Sequence, residues 1–232
     1  MLKDGSINVK GKRENERSVQ QMADEERIRV FLESFYRGAP EYLDRLEWDA
    51  VRDDVPIIRK NTQSVLRLLL EIKKPQTILE IGTAVGFSAL FFCEYSAAHI
   101  TTIENYEKRI PLAEKNFREA GMDSRITFLK GNAEDILPQL SGPYDMIFMD
   151  AAKGQYITFL PELKRLMHSG TVLAADNILQ DGELLESRFA VERRNRTIHK
   201  RMREYLEAVT SDPELVTSII PAGDGLAVSV RK

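Results

Sequence analysis

At 232 residues the chain is long enough to bury one substantial core and shorter than the size at which cores divide. With 43% hydrophobic and 30% charged residues, and no apolar run near the roughly eighteen that a bilayer span takes, the composition excludes both a membrane-spanning helix and a disordered chain. A net charge of -3 excludes bulk attraction to a polyanion and leaves that role to local basic patches.

Residues 1–20 have no apolar periodicity and read as a flexible tail, basic through Lys3, Lys10, Lys12, Arg13 and Arg17. The tail has no apolar segment of the kind a cleaved secretion signal uses, so a cytoplasmic protein is expected. Residues 21–232 read as a single domain. Apolar spacing predicts helices over about Asp24–Tyr36 and Pro40–Val51, which precede the first strand and are expected to cap the sheet. A helix over Asn61–Ile72 follows, and then the period changes. Strands are predicted at Thr77–Ile81, Ala98–Ile103, Ile126–Leu129, Tyr144–Met149 and Thr171–Ala175. They alternate with helices at Ser88–Ser96, Tyr106–Ala120, Ala133–Leu140 and Tyr156–Leu166. A long helix over about Glu192–Ala208 precedes two last strands, Val216–Ile220 and Leu226–Val230, joined by a turn. Such alternation specifies an α/β fold: a doubly wound, mostly parallel, seven-stranded sheet with a helical cap at its N-terminal side. Its ligand belongs in the crevice at the carboxyl ends of the strands. The lone Cys93, within ALFFCEY, is expected to be a small buried hydrophobe.

The residues at those carboxyl ends carry chemistry. Glu80-Ile81-Gly82-Thr83-Ala84-Val85-Gly86 joins the first strand to its helix; Gly82 permits a tight turn, and Gly86 removes a side chain where helix and ligand crowd. The spacing is neither the dinucleotide fingerprint nor a Walker loop, so a ligand other than a bare phosphate is implied. Glu104 ends the second strand, where a carboxylate can accept ribose hydroxyls. Gly131-Asn132-Ala133 follows the third, where backbone and Ala133 can line a base. Asp150 follows the fourth strand and Asp176-Asn177 the fifth, a hard, all-oxygen set that suits magnesium, calcium or manganese and not zinc. Phe87, Tyr156 and Trp48 are aromatics that could face an acceptor. The three histidines are scattered and form no site.

The ordered set ILEIGTAVGFSAL, TTIE, GNAEDILP and YDMIFMDAAKGQY resembles the S-adenosylmethionine-dependent O-methyltransferases of the catechol and caffeoyl-CoA type, over nearly all of the chain from Asp54 onward. The resemblance implies a Rossmann-like class I methyltransferase domain. It also implies S-adenosyl-L-methionine held by Glu80, Gly82 and Ser88 around its methionine part, by Glu104 at the ribose, by Ala133 at the adenine, and by Asp150. It assigns a divalent metal, with Mg2+ expected, to Asp150, Asp176 and Asn177, and the deprotonating role to Lys153. A homodimer is implied as well.

Within that family the chain resembles a bacterial branch that methylates 5-hydroxyuridine at the wobble position of the tRNA anticodon loop. There the 5-hydroxyl and the 4-carbonyl are vicinal, as the two oxygens of a catechol are. Basic residues offer phosphate contacts: Arg59 and Lys60 before the first strand, and Arg193, Arg196, Lys200 and Arg203, spaced to form one stripe on the long helix. Two other functions stay open, an O-methyltransferase of small catechol-like phenols and a non-catalytic S-adenosylmethionine-binding protein.

Overall fold

The computed structural model describes residues 27, 28, 30–36 and 38–232, so the expected tail over residues 1–20 and the start of the first expected helix lie outside the described residues. The chain divides into two compact units, Met1–Gly38 and Ala39–Lys232. In the first, residues 27, 28 and 30–33 are helical, and the Phe31 and Phe35 rings meet edge to face at 5.0 Å.

The second unit begins with helices α1 (Glu41–Arg52) and α2 (Lys60–Lys73). Its sheet comprises β1 (Thr77–Ile81), β2 (His99–Glu104), β3 (Ile126–Lys130), β4 (Tyr144–Met149), β5 (Met167–Ala175), β6 (Leu215–Ile220) and β7 (Leu226–Arg231). The connecting helices are α3 (Phe87–Tyr95), α4 (Ile110–Glu119), the single turn α5 (Ala133–Ile136), α6 (Tyr156–Arg165) and α7 (Arg196–Ser211). Strand order is β3-β2-β1-β4-β5-β7-β6. The first five strands are parallel, and β7 runs antiparallel to both of its neighbours. This is the doubly wound seven-stranded sheet that the alternation of periods predicts.

Period-2 geometry divides the central strands between two cores. Ile78, Met146, Phe148, Val172 and Ala174 pack with Leu66, Leu90 and Phe92 on the side of α2 and α3. Leu79, Ile81, Ile147, Met149, Leu173 and Ala175 pack with Phe159, Leu163, Met202 and Tyr205 on the side of α6 and α7. Both faces being covered, β4 can be an unbroken apolar run, YDMIFM. Helix α3 is buried from Phe87 to Cys93 for the same reason, sandwiched between the sheet and α1, where Tyr42 donates to Glu94 at 2.9 Å. Of the expected cap, α1 therefore lies on the helical layer. Cys93 is buried as expected, its thiol pushed up to about 11 by desolvation.

Three expected boundaries move. Strand β5 starts at Met167 and runs through Gly170, whose φ of +83° a sequence reader takes for a helix stop. Helix α4 starts at Ile110, because the stretch after Glu104 first turns back on that carboxylate. Helix α7 starts at Arg196, which leaves Arg193 in the preceding turn and off the helix.

Candidate active site

The register explains how separate strands converge. Ile81 is level with Ile103 and Met149, and Met149 with Ala175. The next residue of each strand is therefore Gly82, Glu104, Asp150 and Asp176, one row at the carboxyl edge. Ladder bonds continue into this row: Gly82 N–H donates to Ile103 O at 3.0 Å, Asp150 N–H to Ile81 O at 2.9 Å, and Asp176 N–H to Met149 O at 3.0 Å. The chain crosses from one half of the sheet to the other between β1 and β4. The crevice expected at such a switch point is a cleft of about 760 Å³.

Gly82 is fixed by sterics. Its φ is +101°, and a Cβ there would lie 2.0 Å from the carbonyl oxygen of Asp150. Gly86 also has positive φ, but the atom a Cβ would meet is Cε1 of Phe117 at 2.4 Å, so its crowding partner is helix α4 and not the ligand that the sequence suggests. Ala84, between them, is held at φ +47°, an uncommon conformation for a residue with a Cβ. The strain is offset by a bond from its N–H to Glu104 Oε2 at 2.7 Å. Glu104 Oε1 accepts from the N–H groups of Asn105 and Tyr106 at 3.0 and 2.8 Å, so three backbone donors aim this carboxylate.

Gly82, Glu104, Ala133, Asp150, Lys153, Asn177 and Arg59 line the cleft. Glu80 and Ser88 stand behind its wall. Glu80 shares the Ile78 face of β1 and is fully buried beneath α3, accepting from Thr102, which in turn touches Thr83 at 2.6 Å. Burial pushes its carboxyl up to about 7, with hydrogen bonds from Ser88 and Thr102 opposing the shift. Its Oε1 has no partner among the described residues.

At the other end of the row, Asp150 and Asp176 are two acids in one desolvated corner. Burial raises the Asp150 carboxyl, against a bond from Asn177 and the charges of Lys153 and Arg109. Asp176, 1% exposed, is pushed up to about 7 by burial and then by the charge of Asp150. Asn177, at φ +56°, donates its backbone N–H to Asp176 Oδ1 at 2.8 Å and its Nδ2 to Asp150 Oδ1 at 3.0 Å. Lys153 Nζ lies 3.5 Å from Asp224 Oδ2.

Asp224 and Arg109 belong to this corner and carry no signal in the sequence. Asp224 sits in the β6–β7 turn, and only the antiparallel return of β7 brings it to the carboxyl edge, where both of its oxygens accept from Asp181 N–H at 2.8 and 2.9 Å. The expected aromatics do not face the cleft. Phe87 stacks on Phe91 in the core, Tyr156 is buried with its hydroxyl donating to Asp176 O at 3.0 Å, and Trp48 is 64% exposed beneath Arg52.

The basic residues divide. Arg59, on the cleft wall, pairs with Asp181 at 2.9 Å, and Lys60 pairs with Glu47. The expected stripe on α7 is largely committed to the protein itself. Arg196 donates to Val191 O and Phe189 O, Arg203 to Leu184 O and Glu186 O, and Lys200 pairs with Glu204. Arg193 is exposed in the turn before the helix.

Comparison with known proteins agrees with this geometry. The chain is 36% identical over 135 residues to a catechol O-methyltransferase of Niastella koreensis, a match spanning 56% of this chain and 61% of that protein, under two thirds of its length. It is 31% identical over 179 residues to caffeoyl-CoA O-methyltransferase 2 of Populus trichocarpa, covering 72% of this chain and 71% of the relative. In three dimensions it superposes on a candidate caffeoyl-CoA O-methyltransferase from Staphylococcus aureus with a TM-score of 0.80 at 28% identity, covering 89% of this chain and 98% of the other. A family profile described as O-methyltransferase matches residues 33–232, and the chain belongs to that family.

Proposed function

We propose that the chain transfers the methyl group of S-adenosylmethionine to the 5-hydroxyl of 5-hydroxyuridine at the wobble position of tRNA, giving 5-methoxyuridine. The observation that carries the chemical part is the meeting of Lys153, Asp150 and Asn177 on the wall of the cleft that also holds Glu104. The cleft volume suits a nucleoside-sized ligand. The oriented Glu104 carboxylate suits a ribose, Ala133 a base, and the bare backbone at Gly82 a closely approaching chain. The unpartnered Glu80 Oε1 is a spare acceptor behind that backbone.

A divalent cation fits the acid corner on its chemistry. Two buried acids raise each other's pKa, and a cation would offset both. Among the described residues no three His, Cys, Asp or Glu side chains cluster with metal-binding spacing, so the third ligand has to be the Asn177 amide, which presents oxygen by exchanging its O and N positions. When bound, such an ion polarises two adjacent acceptor oxygens. Lys153, as its free amine, takes the acceptor's proton; the hydroxyl O–H breaks, the new O–CH3 bond forms and the S–CH3 bond breaks, leaving S-adenosylhomocysteine.

The RNA acceptor is supported by the loop over residues 184–194. Its neck is closed by Asn195, whose Nδ2 donates to Glu183 at 2.8 Å, and its outer part displays Leu185 and Phe189, 74% and 88% exposed, among Arg188, Arg193 and Arg194. Aromatic surface among cations suits an unstacked base on a phosphate backbone. A second reading, methylation of a free catechol-like phenol, is supported by the relatives of that name in N. koreensis and Mycobacterium tuberculosis.

The test is nucleoside mass spectrometry of tRNA carrying 5-hydroxyuridine after incubation with S-adenosylmethionine and magnesium. 5-Methoxyuridine should form, and should be lost with chelator and in Lys153→Ala. No product from a protein that binds S-adenosylhomocysteine contradicts the proposal.

A further inference from the structure

A second, smaller cavity of about 270 Å³ adjoins the cleft. Lys153 and Asp181 line both and form the partition between them. The polar groups around the small cavity are mostly engaged: Asp181 with Arg59, Glu183 with Asn195, and Lys153 with Asp224. Gln180 is the exception. It lines the cavity, is 7% exposed, and neither its Oε1 nor its Nε2 has a partner among the described residues. Gln180 and Asp181 both have positive φ, +56° and +52°, in a segment tied to Asp224 by the Asp181 N–H, so the amide stands on a fixed stretch of backbone. A buried donor and acceptor left together cost more than the pair gains when a ligand satisfies both.

We propose that Gln180 is the acceptor-reading residue of the site: its carboxamide pairs with a cyclic imide edge, the oxygen accepting from a ring N–H and the nitrogen donating to the adjacent ring carbonyl. The inference rests on the hydroxypyrimidine reading above. In 5-hydroxyuridine the N3–H and O2 edge lies across the ring from the 5-hydroxyl, so a base seated in the small cavity can meet Gln180 with one edge while its hydroxyl faces Lys153. The volume fits a single ring and not a fused conjugate, being below the roughly 300–1,000 Å³ of drug-sized sites. A catechol has no imide and leaves both amide atoms unpaired, and sites built around a buried polar pair reject ligands that lack it.

The experiment crosses two acceptors with two proteins: 5-hydroxyuridine and its N3-methyl derivative, each in an anticodon stem-loop, with wild type and Gln180→Met. S-adenosylhomocysteine affinity serves as the check of folding. The expected result is a wild-type kcat/KM lowered by N3-methylation by about 10- to 100-fold, the range of a bidentate pair. Gln180→Met should be lowered similarly on the unmodified acceptor and be indifferent to the N3-methyl group. A wild type indifferent to N3-methylation, or a variant as sensitive to it as wild type, overturns the proposal and marks Gln180 as merely structural. A wild type that binds S-adenosylhomocysteine and methylates neither stem-loop sinks the hydroxypyrimidine reading itself, a failure distinct from the other two.

Discussion

Gly82 and Lys153 illustrate two ways in which one residue makes the cleft. Gly82 acts by absence: at φ +101° and 2.0 Å from a main-chain oxygen, any Cβ must push the β4 end outward and take Asp150 with it. Gly82→Ala is expected to lower turnover by about 100-fold, the scale of a 1 Å misplacement in an active site, in a protein that still folds; kcat/KM and the thermal midpoint together check this. Lys153 acts by chemistry. Its replacement by alanine should slow methyl transfer by about 100- to 10,000-fold, the usual contribution of a general base, with S-adenosylhomocysteine affinity unchanged by titration calorimetry. Both residues are legible in the sequence, Gly82 from the motif at a strand end and Lys153 from the resemblance. Asp224 and Gln180 are not, because their roles come from the hairpin return and from cavity geometry rather than from a local pattern.

Among the elements, the 184–194 loop shows where sequence and structure part. A run of arginines at three- and four-residue spacing reads as a cationic stripe, yet Arg196 and Arg203 turn back to cap carbonyls of the loop that precedes them. Periodicity gives a helical face and says nothing of a neighbouring carbonyl that needs a donor. Arg203→Ala is expected to loosen the loop, seen as faster protease cleavage within 184–194, with the core's thermal midpoint little changed. Phe189→Ala should weaken tRNA binding by about 1–3 kcal/mol, one stacked base, and leave S-adenosylhomocysteine binding intact. Equal tRNA affinity in wild type and Phe189→Ala would remove the loop from the RNA interface. The strands are more legible: the β1 and β4 bounds follow from their apolar runs, closed by Gly82 and Asp150, whereas β5 extends four residues further back than Thr171 because its pairing with β4 continues past a glycine.

For the whole molecule, the carboxyl edge of the sheet stores acids that folding desolvates. The Glu80 and Asp176 carboxyls both stand near 7, above their ordinary values of 4.5 and 3.8. A raised acid contributes stability fully below its unfolded pKa and loses it as pH rises through the folded one. The ligand-free protein should therefore become less stable between about pH 5 and 8, by on the order of 3 kcal/mol for Glu80 alone. The exposed acids with lowered pKa, Asp212 and Glu214, are ionised throughout that window and do not offset the trend. Thermal midpoints measured in chelator should fall with pH, Glu80→Gln should flatten the slope, and magnesium should raise the midpoint most at the alkaline end; a midpoint that rises with pH contradicts the assignment. Among the described residues no helix is long and apolar enough to cross a membrane. A homodimer belongs to the same proposal as the RNA acceptor, and sedimentation at twice the chain mass is its test.

Acceptor choice under competition tests the central claim most directly. Wild-type protein with labelled S-adenosylmethionine and magnesium is offered a 5-hydroxyuridine stem-loop and free catechol together at limiting concentration, and the label in each product gives the ratio of the two kcat/KM values. The account predicts label on the stem-loop, by at least tenfold over catechol, and none in either product with Asp150→Ala. Label on catechol alone would contradict the RNA acceptor and the role given to Gln180.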